Sequence, residues 1–273
     1  MLVCTLGDLL VDVIVRAPGP LAPGADTPVE TRVASGGQAA NVAAWVASLG
    51  EEARFVGKHA RDAAGGLARS LLEGRGVEVA GPRVEGTTGV VVSFVTREGE
   101  RSMATDRGVA PELRADELEA GWFACDRLHL SGYSLLADPI GEAALAAARL
   151  AREAGAQVSV DLSSWSTIRE FGPERFRARL EELAPELVFA NEPEWELVGG
   201  AYAIAETAVV KRGSRGVAVL GPGGSQEYPA LSGDVVDSTG AGDALAAGFL
   251  VGGIEVGLDA AARCVGQMGA VPA

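Results

Sequence analysis

Short apolar runs alternate with Ala/Leu-rich amphipathic stretches along the whole chain, and this rhythm limits the fold more than any single residue does. Apolar runs bounded by turn residues read as buried strands, and the longer amphipathic stretches read as helices. Their alternation points to an α/β fold of three layers, a Rossmann-like, mostly parallel sheet covered by helices on both faces. The pattern predicts strands over residues 2–6, 54–57, 127–130, 157–161, 187–190, 208–211 and 217–220. It predicts helices over 38–49, 64–75, 139–154, 173–183, 192–198, 242–251 and 258–266. Gly50, Gly76 and Gly155 stand where a glycine closes a helix.

Two stretches break the rhythm. Residues 11–34 carry Pro18, Pro20, Pro23 and Gly24 between two extended pieces. Residues 88–105 read TGVVVSFVTREGERSMAT, two extended arms around a turn at Glu98-Gly99. Neither suits a helix-covered sheet. They are expected to form a small antiparallel β-sheet beside the main domain, used as a lid over a cleft or as a dimer contact. The main domain then comprises residues 1–10, 35–87 and 106–273.

Polar residues cluster where strands end: Gly7-Asp8, Ser131-Gly132, Asp161 and Asn191. Open α/β sheets bind ligands outside the carboxyl ends of their strands. Each residue alone reads equally as a helix cap, but several in one chain suggest a polar site along one sheet edge.

The stretch DSTGAGDALAAGF carries the most specific chemistry. Gly240, Ala241 and Gly242 precede an apolar helix, so the backbone can turn tightly there and approach a ligand. Free N–H groups and the helix dipole then make an anion hole suited to phosphate. Asp243 would repel a phosphate, but it suits a hydroxyl approaching that phosphate in line, whose proton it can accept. The plainer alternative is a turn with a dipole-complementing acid. Asp237 reads either as a cation ligand or as a loop residue.

Four further features bear on a site. In SGGQAANVAAWVASLG, Gly36 and Gly37 lead into a helix with Asn41 one turn in. Backbone donors beside an amide can grip several hydroxyls. NEPE reads first as a capping box of Asn191 and Glu194 with an early proline, and second as a contact to Mg²⁺. VVKRGSRGVAVL reads as a tight connection or as a nucleotide loop, with Lys211 near phosphate and Gly213 and Gly216 bounding the turn.

Several classes are excluded. Against 23 Lys and Arg stand 37 Asp and Glu, a net charge of −14, and no basic stripe offers a surface to nucleic acid. No GxxxxGK[ST] loop exists, and no GxGxxG follows the first strand, which removes a dinucleotide oxidoreductase. The two histidines, His59 and His129, give no support to a triad or a multi-His metal site. Cys4, Cys125 and Cys264 are too scattered for a disulfide framework, which points to a cytoplasmic setting. MLVCTLGDLLVDVIV lacks a basic leader region, and no uncharged run is long enough to span a membrane.

With GDLLVD, GGQAAN, NEPE, KRGSRG, DSTGAGD and CVGQMGA in this order, the chain resembles the ribokinase-like, or phosphofructokinase-B, family of carbohydrate and nucleoside kinases. The resemblance implies a β lid, ATP with Mg²⁺, and a potassium-type monovalent cation in many members. It implies that Asp12, Gly36, Gly37 and Asn41 contact substrate hydroxyls, and that Asp243 is the base above a Gly240–Gly242 anion hole. It assigns Asn191 and Glu194 to Mg²⁺ through water and phosphate, and Lys211, Gly213 and Gly216 to the nucleotide loop. It sets Asp237 and Thr239 near the monovalent cation. Gln38 stands where ribokinases proper usually have Lys, and the chain ends at Ala273, where many relatives continue through a segment that completes the cation loop.

The function expected is ATP-dependent phosphorylation of a hydroxyl on a small sugar or sugar acid, and the further partner expected is a second copy through the lid. An adenosine-type nucleoside kinase is the alternative, with Phe94 and Met103 stacking a base. Arg101 and Arg107 lean towards an anionic or polyhydroxylated substrate. A non-catalytic sugar- or nucleotide-binding regulator is the alternative of another class.

Overall fold

The computed structural model describes residues 1–95, 101–200 and 204–273. The strands in chain order are β1 (Leu2–Leu6), β2 (Leu10–Arg16), β3 (Glu30–Gly36), β4 (Glu52–Val56), β5 (His59–Ala60), β6 (Val77–Ala80), β7 (Arg83–Val84) and β8 (Thr88–Val95). They continue with β9 (Arg101–Gly108), β10 (Arg127–Ser131), β11 (Gln157–Asp161), β12 (Leu187–Asn191), β13 (Thr207–Lys211), β14 (Val217–Gly221) and β15 (Gly224–Tyr228). The helices are α1 (Gln38–Ser48), α2 (Ala63–Glu73), α3 (Gly132–Leu135), α4 (Ile140–Glu153), α5 (Trp165–Phe171), α6 (Pro173–Leu183), α7 (Glu192–Leu197), α8 (Ala241–Gly252) and α9 (Ile254–Val265).

Nine strands form the main sheet in the order β15-β14-β13-β12-β11-β10-β1-β4-β6. From β13 to β6 every pairing is parallel, while β14 and β15 add antiparallel at one edge. Two apolar cores lie on its two faces. One gathers α1, α2, α8 and α9 around Trp45, Phe55 and Phe189. The other gathers α4 and α6 around Phe123, Leu128 and Phe176. Helices on both faces are why the central strands carry continuous apolar runs rather than an alternating pattern.

The chain builds outward from β1 in both directions, through β4 and β6 on one side and through β10 to β13 on the other. The order therefore reverses between β1 and β10, and such a switch point leaves a crevice at the carboxyl ends of the strands. The crevice is tight. A Cβ on Gly7, just after β1, would lie 2.8 Å from Ala39 and 3.0 Å from Ser131.

A second sheet has the order β3-β2-β8-β9. Its outer pairs are antiparallel, but β2 and β8 run parallel. This corrects the expected antiparallel sheet: the two irregular stretches lie far apart in sequence, and each contributes a hairpin whose inner strand joins the other's. The turn expected at Glu98-Gly99 lies outside the described residues.

Smaller differences have local causes. Helix α9 begins at Ile254, a turn before the expected start, because Gly253 at φ 81° ends α8 and restarts the chain at once. The edge strands β6 and β15 are short, and β15 is mostly exposed, so neither has an apolar run to reveal it. Among the described residues no helix is long and apolar enough to cross a membrane.

Candidate active site

The strand ends bring most of the singled-out residues to one region. Ser131 and Asp161 are register partners across β10 and β11, and Asn191 and Lys211 are partners across β12 and β13. The second sheet is tied to this edge through β9. Arg107 on β9 grips Asp8 with two bonds, Nε to Oδ2 at 2.6 Å and Nη2 to Oδ1 at 3.0 Å. A fork-to-carboxylate pair of this geometry holds orientation as well as charge. Arg107, expected to lean towards substrate, is thus engaged with Asp8 and ties β9 to the main sheet.

The glycine pair has a separate reason at each position. A Cβ on Gly36 would lie 2.0 Å from Oδ1 of Asp12, and one on Gly37 would lie 2.1 Å from the carbonyl oxygen of Asp8. Gly36 makes room for a carboxylate, and Gly37, at φ 101°, lets the chain enter α1 against β1's exit. Burial pushes the Asp12 carboxyl up to about 6.

Asn41 sits in the first turns of α1 and Asp243 in the first turn of α8. Asn41 Nδ2 donates to Asp243 Oδ2 at 2.8 Å. The amide must turn its nitrogen to a carboxylate, which leaves Asn41 Oδ1 buried with no donor among the described residues. A buried acceptor in that state costs free energy until a ligand or water supplies a donor. The Asp243 carboxyl is pushed up to about 7, chiefly by burial. The Asn41 hydrogen bond and Lys211 oppose that rise, and Asp161 and Asp12 add to it.

Gly240 takes the left-handed conformation, φ 75°, and α8 begins there with no side-chain cap. Its first-turn N–H groups therefore have no side-chain partner among the described residues, and that of Ala241 donates to the Ser238 carbonyl at 3.4 Å. A Cβ on Gly240 would lie 2.5 Å from the Ala270 backbone. One on Gly242 would lie 3.1 Å from Lys211 Nζ, so the ammonium stands beside the helix start. Lys211 is also salt-bridged to Asp161, a carboxylate 1% exposed. Burial alone would pull the Lys211 amine down, but Asp161 and Glu194 outweigh it and hold the amine above its ordinary value.

The plain reading of NEPE holds locally. Asn191 accepts from the Glu194 N–H at 2.9 Å, and Glu194 accepts from the Asn191 N–H at 2.8 Å and its Nδ2 at 2.7 Å. Glu194 is 1% exposed, and burial and then Asp161 push its carboxyl up, against Lys211. Asp237 accepts from the Thr239 N–H at 2.9 Å, the Thr239 hydroxyl and the Gly269 N–H at 3.0 Å. These two residues brace the turn before Gly240. Among the described residues no cluster of three or more His, Cys, Asp or Glu is arranged to hold a metal.

The connection between β13 and β14 is a tight antiparallel one, with Gly213 and Gly216 at positive φ. It also lines a cavity of about 600 Å³ together with Lys211, Ser238, Ala241 and Gly242. Both readings of KRGSRG are therefore compatible: a hairpin whose turn forms one wall of a cavity.

Sequence reasoning missed three parts of this region. Asp161 was visible only as a polar strand end. Gln38 Oε1 accepts from the Ser131 and Ser163 hydroxyls at 2.6 and 2.7 Å, a bridge from α1 to the end of β10 and the loop after β11 that no spacing announces. The face of α9 that lines the cavity carried an amphipathic pattern, yet nothing in it marked a site.

A glycine turn at a helix start, a carboxyl raised by burial and an ammonium beside a cavity come together at the switch point of an α/β sheet, an arrangement that suits phosphoryl transfer. Comparison with known proteins agrees. The pfkB family of carbohydrate kinases matches residues 1–267. The chain is 35% identical over 250 residues to the ATP-dependent ribose-1-phosphate kinase of Halopiger xanaduensis, covering 85% of this chain and 79% of that one. It is 31% identical to the aminoimidazole riboside kinase of Salmonella typhimurium, covering 79% and 72%. The solved adenosine kinase of Sinorhizobium meliloti superposes with a TM-score of 0.87 at 28% identity, covering 99% of this chain and 95% of that one. The chain belongs to the pfkB family of carbohydrate kinases.

Proposed function

We propose that the protein transfers the γ-phosphoryl group of ATP to a hydroxyl of a small sugar, with Asp243 as base and the amides of Gly240, Ala241 and Gly242 as the anion hole. The observation that carries this is the Asn41–Asp243 hydrogen bond. It joins the residue best placed to hold a substrate hydroxyl to the residue best placed to take its proton.

In the step proposed, the hydroxyl proton passes to Asp243 as the oxygen bonds to the γ-phosphorus. The bond from that phosphorus to the β,γ-bridging oxygen breaks, and ADP leaves. Loose phosphoryl-transfer transition states need little from a base beyond late acceptance of the proton. A carboxyl near 7 serves this at neutral pH. The helix amides and Lys211 meet charge on the moving phosphoryl group. Asp12 and the α1 amides behind Gly36 and Gly37 orient the acceptor.

ATP fits the cavity as a substrate, with Gly213 and Gly216 along one wall. Mg²⁺ would arrive on its phosphates, because both Glu194 oxygens serve the α7 cap. A potassium-type cation near the turn would need main-chain oxygens, since three donors occupy Asp237. Turnover in potassium against tetramethylammonium salts tests it.

A nucleoside acceptor is the second reading, favoured by the riboside and adenosine kinases among the similar proteins. Met103 pairs with Ser93, which shares the face of Asp12, and it is 55% exposed. Phe94 lies on the opposite face, so of the two stacking candidates only Met103 suits this role. On that opposite face Val13 pairs with Val33 and Val92, and Val33 is 49% exposed. A second copy docking there is the proposed dimer contact, with residues 11–34 and 88–105 as the lid, and sedimentation tests it. ADP release with Mg-ATP across sugars, sugar phosphates, sugar acids and nucleosides tests the function. Turnover confined to one acceptor class supports it and names that class, and turnover with none contradicts it.

A further inference from the structure

The cavity beside Gly242 encloses about 600 Å³, within the range that small-molecule sites occupy. Helix α9 presents Leu258, Ala261, Ala262 and Val265 to it. These positions follow the i, i+3, i+4, i+7 spacing of a single helix face. Leu231 and Val235, 51% and 71% exposed, come from the loop before the glycine turn. Exposed aliphatic side chains of this size beside a cavity suit the flat face of a ring.

The polar side chains on the lining are few. Lys211 is the one charged residue among the described lining, and it stands at Gly242, where phosphates belong. The others are the hydroxyls of Ser214, Ser232 and Ser238. The described lining holds no Asn, Gln, Asp, Glu or His.

That composition sets what its side chains can distinguish. Adenine and guanine differ at an exocyclic position that is a donor in one and an acceptor in the other. Carboxylates and amides have fixed polarity, so the wrong base leaves them unpaired, and sites built that way discriminate by roughly 10⁴-fold or more. A hydroxyl rotates to donate or accept, and so satisfies either base. Apolar contacts are the same for both rings.

Resting on the reading of this cavity as the nucleotide site, we infer that it holds the base of the phosphoryl donor by apolar contact without reading its exocyclic groups. Purine nucleoside triphosphates as a class, those of adenine, guanine and hypoxanthine, are then donors of comparable efficiency.

Calorimetric titration with ADP, GDP and IDP in the presence of Mg²⁺ tests this without knowledge of the acceptor. The expected result is three dissociation constants within about tenfold of one another. Val235→Ala, at an exposed rim position, is expected to weaken all three by the same factor. Binding of ADP with GDP and IDP weaker by about 100-fold or more would overturn the inference and leave the kinase reading intact. An unequal effect of Val235→Ala on the three would overturn it too. Failure of ADP itself to bind would remove the nucleotide reading of the cavity, and the inference with it.

Discussion

Asn41 Nδ2 lies 2.8 Å from Asp243 Oδ2, although the two residues are 202 positions apart in sequence. Each sits in the opening turns of a helix, and the glycines before each helix let both helix starts face the same crevice. The bond fixes one carboxylate oxygen and leaves the other for a ligand. Replacing Asn41 by Ala removes a positioning donor and the orphaned Oδ1 together. The expected outcome is a fall in kcat/KM for the acceptor of about 10- to 100-fold. ADP affinity, measured by calorimetry, should be unchanged.

The acid limb of the pH profile follows from the Asp243 carboxyl near 7. The base form is depleted below that value, so kcat/KM should rise about tenfold between roughly pH 6 and pH 8 and then level. The stability effect has the opposite sense. A carboxyl raised in the fold binds a proton that the unfolded chain releases, so its contribution is full at acid pH and is lost as pH rises through about 7. Asp243→Asn should therefore gain melting temperature relative to the wild type at alkaline pH and not at acid pH, as thermal scans across that range would show.

Asp161 and Lys211 act on Asp243 with opposite sign. Asp161→Asn removes a carboxylate that raises it, so the acid limb should move to lower pH. Lys211→Met removes the cation that lowers it, so the limb should move to higher pH, and kcat should fall because charge on the phosphoryl group is left unmet. Profiles of kcat/KM for both variants check the directions. A purely structural ion pair would leave the limb of the surviving activity where it was.

Gly36 tests the crowding at Asp12. A Cβ there would lie 2.0 Å from the carboxylate, so Gly36→Ala must displace Asp12. Because the neighbour is a side chain, the expected effect falls on the acceptor: KM higher by about tenfold or more, with ADP affinity retained. Steady-state kinetics in each substrate separates the two.

Much of this was legible in the sequence. The parallel strands were visible because helices on both faces make them continuous apolar runs, as at Leu187–Asn191. Gly50, Gly76 and Gly155 do adopt positive φ at the expected helix ends. Asp243 and the glycine turn stood out because an acid beside a glycine-rich helix start is chemically odd. What stayed hidden depends on contacts far apart in sequence. The parallel joining of β2 to β8, the Gln38 bridge and the pairing of Asp161 with Lys211 each unite residues from separate segments whose local patterns are ordinary. Gly36 was visible as a glycine, but its reason, the Asp12 carboxylate pressed against it, was not.

The central claim is that Asp243 takes the proton of the acceptor hydroxyl. Single-turnover measurement of phosphoryl transfer from Mg-ATP to the acceptor found by screening, in the wild type and Asp243→Asn, tests it most directly. The account predicts a loss in rate of about 10³-fold or more, with nucleotide and acceptor still bound. A rate within about threefold of the wild type would contradict it and move the base elsewhere in the crevice.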